Sequence, residues 1–465
     1  MDKQRIKIGY LPLYIKLYDD SDPSYRDPMV KYMHTLVSML ESQGLEVILA
    51  DVCRIEEEFK EAAELFNSND VAAVVTQHLA YSPSLEAIDA LCSIEAPIII
   101  LDTTPDYELM SRADYYDGIF LNHGIHGVQD MCNLLKQRGV NYEIRAGHAM
   151  HSDVIAQVAG LCRAAAVARE FKNARIGSVG GAFEGMGDFF VTDEHLKKSI
   201  GADVFYMDES AIKESLDSVT DKDIDDEIAW DKAHFNYEIV HEENYRLSIK
   251  AGLAIRNWMG KKDLTACTVN FLTLDKSGLP KMPFAECSKM LARGTGYAGE
   301  GDVLTAGLVG ALRKVYPGTT FSEMFCPDWK EDVILLSHMG ECNLNLAAWR
   351  PALKDTPFNY NACGDTAAAY FGMRSGSAVF VNLAPMNEGY TLIVTPVEML
   401  DNRGEFSVYR DSIHGWLKPV KPLAAFLPEF SYAGGTHHSA LVYDVDYHEI
   451  AAFGHMMGFD IVVID

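Results

Sequence analysis

From its start the chain alternates short β-branched apolar runs with longer stretches of helical periodicity, and this alternation restricts the possible folds more than any other feature. "RIKIGYL" precedes "DPMVKYMHTLVSMLESQG", "LEVILAD" precedes "RIEEEFKEAAELFNSN", "VAAVVTQ" precedes "SPSLEAIDALCSI", and "APIIILD" follows. Runs that are apolar throughout, rather than at alternate positions, suit strands buried on both faces. The pattern therefore predicts a parallel sheet covered by helices, a doubly wound α/β domain.

A chain of 465 residues is expected to divide into roughly two to four domains. The helical stretch "HSDVIAQVAGLCRAAAVAREFKNA" leads into a fresh strand and glycine turn, "RIGSVGGAFEGMGD", which ends the first domain at residue 172. A second doubly wound α/β domain is expected over 173–318. Beyond it "SAVFVNLAPMNEGYTLIVTPVEML" and "GEFSVYRD" alternate with period two, so 319–465 is expected to be a C-terminal domain rich in antiparallel β structure.

Charge narrows the function. With 67 acidic against 40 basic residues the formal net charge is -27, a field that repels nucleic acid. The nine cysteines are dispersed without a CxxC pair, which fits a reducing compartment and gives neither a disulfide framework nor a zinc ribbon. No run approaches the ~18 apolar residues of a membrane span, and the N-terminus lacks the pattern of a signal peptide, so a cytoplasmic protein without a membrane partner is expected.

"GTGYAGEGDVLTAGL", residues 294–308, spaces Gly294, Gly296 and Gly299 as a dinucleotide fingerprint does. Yet the preceding "MPFAECSKMLARG" reads as helix rather than strand, and Glu300 and Asp302 would bring negative charge to the place of a phosphate. No nucleotide cofactor is expected, and Asp302 reads as the N-cap of the following helix. Glu300 alone could be a solvated turn residue. Downstream, however, Glu323 lies in apolar "TFSEMF", His338 ends the strand pattern "DVILLSH", and His437 and His438 follow a double glycine. Two carboxylates and two imidazoles suit a divalent cation that accepts mixed N/O donors, such as manganese, cobalt or magnesium. Because neighbouring strand residues face opposite ways, at most one of His437 and His438 is expected to be a ligand, and the residues alone do not choose which.

"GYAGEGDVLTAGL", "FSEMF", "LLSHMGE" and "AGGTHHS", in this order and at these intervals, resemble the L-arabinose isomerase family and its L-fucose isomerase-like relatives, as do "LNHGIHG" and "GMGD". The resemblance implies an aldose–ketose isomerase with three domains, a manganese ion, and active sites shared between subunits of a homo-oligomer, commonly a hexamer. It assigns the metal to Glu300, Glu323, His338 and His438, so the second histidine of the pair is chosen by resemblance. Glu300 and Glu323 would transfer the protons. His126 falls on a position near the sugar contributed by a neighbouring subunit, and Met186 on a pocket-lining one. Leu11 stands where a glutamine is usual, His123 likewise, and Tyr360 replaces a smaller aliphatic residue, so the aldose could be L-arabinose or another pentose, deoxyhexose or hexose. A sugar-binding protein without turnover is the alternative from outside catalysis.

Overall fold

The computed structural model describes residues 5–111, 114–402 and 408–465. Its contacts divide the chain into two compact units, Met1–Arg169 and Glu170–Asp465.

In the first unit five strands, β1 (Ile6–Leu13), β2 (Leu45–Leu49), β3 (Val74–His78), β4 (Ile98–Asp102) and β5 (Tyr142–Ala146), form a wholly parallel sheet in the order β2-β1-β3-β4-β5. Burial on both faces is as expected: all five residues of β3 are buried, including the polar Thr76, Gln77 and His78, and Ile98 to Leu101 of β4 are buried too. Leu11, Leu13, Val74 and Ile100 share one core with Phe59, Phe66, Ile88, Val128 and Met131 from covering helices.

The second unit opens with another α/β layer. Its strands are β6 (Arg175–Val179), β7 (Asp203–Tyr206), β8 (Asn236–Glu238), β9 (Ala266–Val269) and β10 (Gly296–Gly299), of which four pair in parallel in the order β10-β9-β6-β7. Then come β11 (Thr319–Asp328), β12 (Val333–His338), β13 (Ala352–Thr356), β14 (Thr366–Tyr370), β15 (Gly376–Met386), β16 (Gly389–Leu400), β17 (Ile413–Pro419), β18 (His438–Tyr443) and β19 (Asp460–Val463). Seven of these make a sheet ordered β15-β18-β11-β12-β17-β16-β19, antiparallel except where β19 joins β16, while β8, β13 and β14 form a small separate sheet. The fold class is thus parallel α/β structure followed by a mainly antiparallel sheet.

Two local expectations are corrected. The segment before the glycines is indeed a helix, Phe284–Arg293, closed by Gly294 at φ 99°. A strand nevertheless follows, since Gly296 and Gly299 lie within β10, so a strand does feed the turn at Glu300 and the helix Val303–Val315. The glycines build that strand rather than the turn after it: a Cβ on Gly296 would stand 2.4 Å from the Cα of Gly310 in the helix, so bare backbone lets helix and strand touch. The second correction concerns "GEFSVYRD". Residues 404–407 lie outside the described residues, and 408–411 form a turn rather than a strand.

Candidate active site

Backbone strain aims Glu300. Its amide donates to the Val269 carbonyl at 3.0 Å, holding the end of β10 against β9, and its own φ is 62°, a left-handed conformation that costs a non-glycine residue roughly 1–3 kcal/mol. Gly301 continues the turn at φ 79°, where a Cβ would lie 2.2 Å from the Gly181 carbonyl oxygen, so no side chain fits. Asp302 then caps the helix, its Oδ1 accepting from the Thr305 amide at 2.8 Å. Glu300 as a residue is only 8% exposed.

The antiparallel sheet supplies the remaining side chains. Glu323 on β11 pairs directly with His438 on β18, so the two share a face, and a register irregularity follows at once between Met324 and Cys326. His338 is the last residue of β12. Glu323 pairs with Ser337, so regular alternation would send His338 to the opposite face. The strand ends there and the chain bends at Met339 and Gly340, which brings His338 Nε2 to 4.0 Å from Glu323 Oε2. Space for the imidazole comes from Gly299, where a Cβ would stand 2.7 Å from His338 Cε1.

Both imidazoles are held from behind by carboxylates that the sequence reading gave no part in the site. His438 Nδ1 donates to Asp302 Oδ2 at 3.0 Å, and His338 Nδ1 donates to Glu341 Oε2 at 2.7 Å. Each Nε2 is thereby left as the free nitrogen. His438 Nε2 is fully buried with no hydrogen-bond partner; it lies 3.2 Å from Glu300 Oε2 but is misaligned for a bond. A buried nitrogen left bare normally costs free energy, and a histidine whose other nitrogen is fixed by a carboxylate is the usual form of a metal ligand. Among the described residues, two groups could hold a cation, Glu300 with His437 and His438, and Glu323 with His338 and His438, each with its donor atoms within 4.8 Å of one another. His438 is common to both, so the four predicted side chains converge. Phe321 makes T-shaped contacts with both His338 and His438, and Phe189 stacks on His438 at 4.9 Å, giving the donors apolar walls.

His437 departs from the alternation argument. Because β18 begins at His438, its neighbour precedes the strand and is free to turn inward too: His437 Nδ1 donates to Asp188 Oδ2 at 2.6 Å and its Nε2 lies 3.6 Å from Glu300 Oε2. Both histidines of the pair therefore face Glu300.

The two acids sit in opposed environments. Burial pushes the Glu300 carboxyl up, but His437 and His438 beside it more than reverse this and hold it well below the usual carboxylate range. At Glu323 burial prevails over the nearby imidazoles, and its carboxyl stays above that range. For His438 burial works downward, and Asp302 and Glu300 outweigh it, pushing the imidazolium up to about 9 in the metal-free protein.

The positions predicted to face the substrate are divided between the two units. Leu11, in the first unit, is 1% exposed within the core. His126, in the same unit, is exposed, stacked on Tyr81 at 4.8 Å and beside His123 at 5.4 Å. In the second unit Met186 is half-buried in a turn. Tyr360 is exposed, its ring 5.2 Å from Phe358 and 5.7 Å from Phe271.

Two family models match the chain: the L-arabinose isomerase central domain over residues 191–318 and the L-arabinose isomerase C-terminal domain over 318–460. Similar proteins include the L-arabinose isomerases of Clostridium beijerinckii, 26% identical over 86% of this chain and 82% of that one, and of Shouchella clausii, 24% identical over 98% and 93%. That of Levilactobacillus brevis is 25% identical over 89% of each. A solved periplasmic solute-binding protein from Actinobacillus succinogenes with bound D-allose aligns at 14% identity over 66% of this chain and 91% of that one, with a TM-score of 0.18.

Proposed function

The chain belongs to the L-arabinose isomerase family of aldose–ketose isomerases, and we propose that it converts L-arabinose to L-ribulose, or an aldose of related structure to its ketose, at a divalent cation held by Glu300, Glu323, His338 and His438. The observation that supports this most is the buried Nε2 of His438, which makes no aligned hydrogen bond, lies 3.2 Å from Glu300 Oε2, and is aimed there by the hold of Asp302 on Nδ1. Mixed oxygen and nitrogen donors suit Mn2+. A bound cation supplies Lewis-acid stabilisation of the negative charge that develops on the sugar oxygens.

The protein's own groups handle the protons. Isomerisation removes the proton from C2, places the electron pair in a C1–C2 double bond to give an enediol, and returns a proton to C1 while the hydroxyl proton passes from O2 to O1. Glu300, held ionised by its two imidazoles, is suited to accept the carbon-bound proton; Glu323, which burial keeps closer to protonation, is suited to exchange one with the oxygens. Asp302 and Glu341 fix the tautomers of His438 and His338, so the donor nitrogens need not reorganise as charge builds.

On the substrate side we assign His126, Met186 and Tyr360, with His126 reaching the sugar from a neighbouring subunit of a homo-oligomer, for which a hexamer is the expected size, in the cytoplasm; Leu11, packed into the core of the first unit, is not available to a sugar. No helix among the described residues is long and apolar enough to cross a membrane. The working division is into domains 1–172, 173–318 and 319–465. Incubating the protein with Mn2+ and a panel of aldoses, followed by chromatography of the products, tests the assignment. A ketose is expected from L-arabinose or from a sugar close to it in stereochemistry. Tight sugar binding with no product from any member would overturn the reading.

A further inference from the structure

We infer that Tyr297 is a positioning residue for this reaction, fixing the aim of His338 through Glu341. The inference adds Tyr297, which the proposed isomerase reading does not use, and it rests on that reading only for its consequence at the cation.

Glu341 is 1% exposed, and three groups anchor its carboxylate. Oε2 accepts from His338 Nδ1 at 2.7 Å and from the Gly340 amide at 2.9 Å, and Oε1 accepts from the Tyr297 hydroxyl at 3.0 Å. Tyr297 itself is fully buried, and that burial keeps its phenol protonated and able to donate. Without this donor Oε1 would be a buried carboxylate oxygen lacking a partner, and the carboxylate would be free to rotate about its side chain. Its hold on Nδ1 would loosen with it.

The arrangement makes β10 the reference for the site. Tyr297 and Gly299, two residues apart on one strand, point to the same face. The first reaches the back of His338 through Glu341, and the second, having no Cβ, admits the ring edge at Cε1. Glu300 follows immediately. One short strand of the parallel sheet thus sets both its own carboxylate and an imidazole that belongs to the antiparallel sheet.

Tyr297→Phe keeps the buried ring and deletes the hydroxyl alone, so it separates positioning from packing. The test measures Mn2+ affinity by calorimetry on metal-stripped wild type, Tyr297→Phe, Glu341→Gln and the double variant, together with the imidazole NMR spectrum of the metal-free proteins. The Nδ1 proton of His338, hydrogen-bonded to a carboxylate, is expected at low field and is assigned by its loss in His338→Asn. In Tyr297→Phe that proton should shift, and Mn2+ binding should weaken about three- to tenfold. The double variant should bind no more weakly than Glu341→Gln, because both changes act on one chain of bonds. An unmoved His338 proton in Tyr297→Phe overturns the inference, and so do additive losses in the double variant, whatever happens to thermal stability. If wild type takes no Mn2+, the isomerase reading fails, while the proton still decides for or against Tyr297.

Discussion

Glu300→Gln is expected to lower kcat by about a thousandfold, a loss of about 4 kcal/mol of transition-state stabilisation, while the protein stays folded. The amide matches the carboxylate in shape and leaves the left-handed backbone at residue 300 as it is, held by the Val269 carbonyl on one side and the Asp302 cap on the other. It removes the base, and it removes the negative charge facing His437 and His438. Steady-state kinetics on the sugar identified by the aldose panel, alongside a thermal melt, give the answer. Turnover near that of wild type would show that Glu300 is only a turn residue in an unusual conformation, which was its plainest reading in the sequence.

Stripping the protein with a chelator should abolish turnover, and Mn2+ should restore it. Cation affinity should also depend on pH in a definite direction. In the metal-free protein the His438 imidazolium persists up to about 9, stabilised by Asp302 and Glu300, and a cation must displace that proton. Mn2+ binding should therefore tighten by up to about tenfold per pH unit below that point and level off above it, with proton release visible in calorimetry. The sign for stability runs the other way. A folded-state pKa above the unfolded value makes the metal-free fold most favoured below the ordinary histidine range, and that contribution is lost as pH rises through about 9. Melting temperatures of stripped and Mn2+-loaded protein across this window should thus diverge as pH rises. Affinity that does not change with pH would mean that the His438 nitrogen is not a ligand.

Much of the architecture was legible because burial on two faces leaves a direct trace in sequence. The unbroken run Ile98 to Leu101 in β4 is one such trace, whereas β15 and β16 do pair as an antiparallel hairpin but bury consecutive residues, Ala378 to Ala384 among them, instead of alternating. β10 left no such trace: "GYAG" has no β-branched residue, and it is a strand because β9 pairs with it and Gly310 allows the helix close. The acids and imidazoles stood out as residue types in unusual settings, but their convergence depends on strand register that no single segment encodes. Glu323 meets His438 only through the pairing of β11 with β18. Asp302 was readable as an N-cap and is one; its second oxygen on His438 comes from a residue 136 positions away. Glu341 lay in plain view in "SHMGE", three residues after His338, yet its role needs the bend at Gly340 that folds it back. The inward turn of His437 depended on where β18 starts, and element ends are the part of a sequence reading that propensity fixes least.

Glu300, Glu323, His338 and His438 are expected to hold one divalent ion between them. Crystals grown with Mn2+ and measured at the manganese absorption edge test it most directly. A single anomalous peak is expected within bonding distance of one oxygen from each carboxylate and of Nε2 from each of these two histidines. A peak elsewhere, or a fully bound ion that leaves His438 Nε2 without contact, would contradict it.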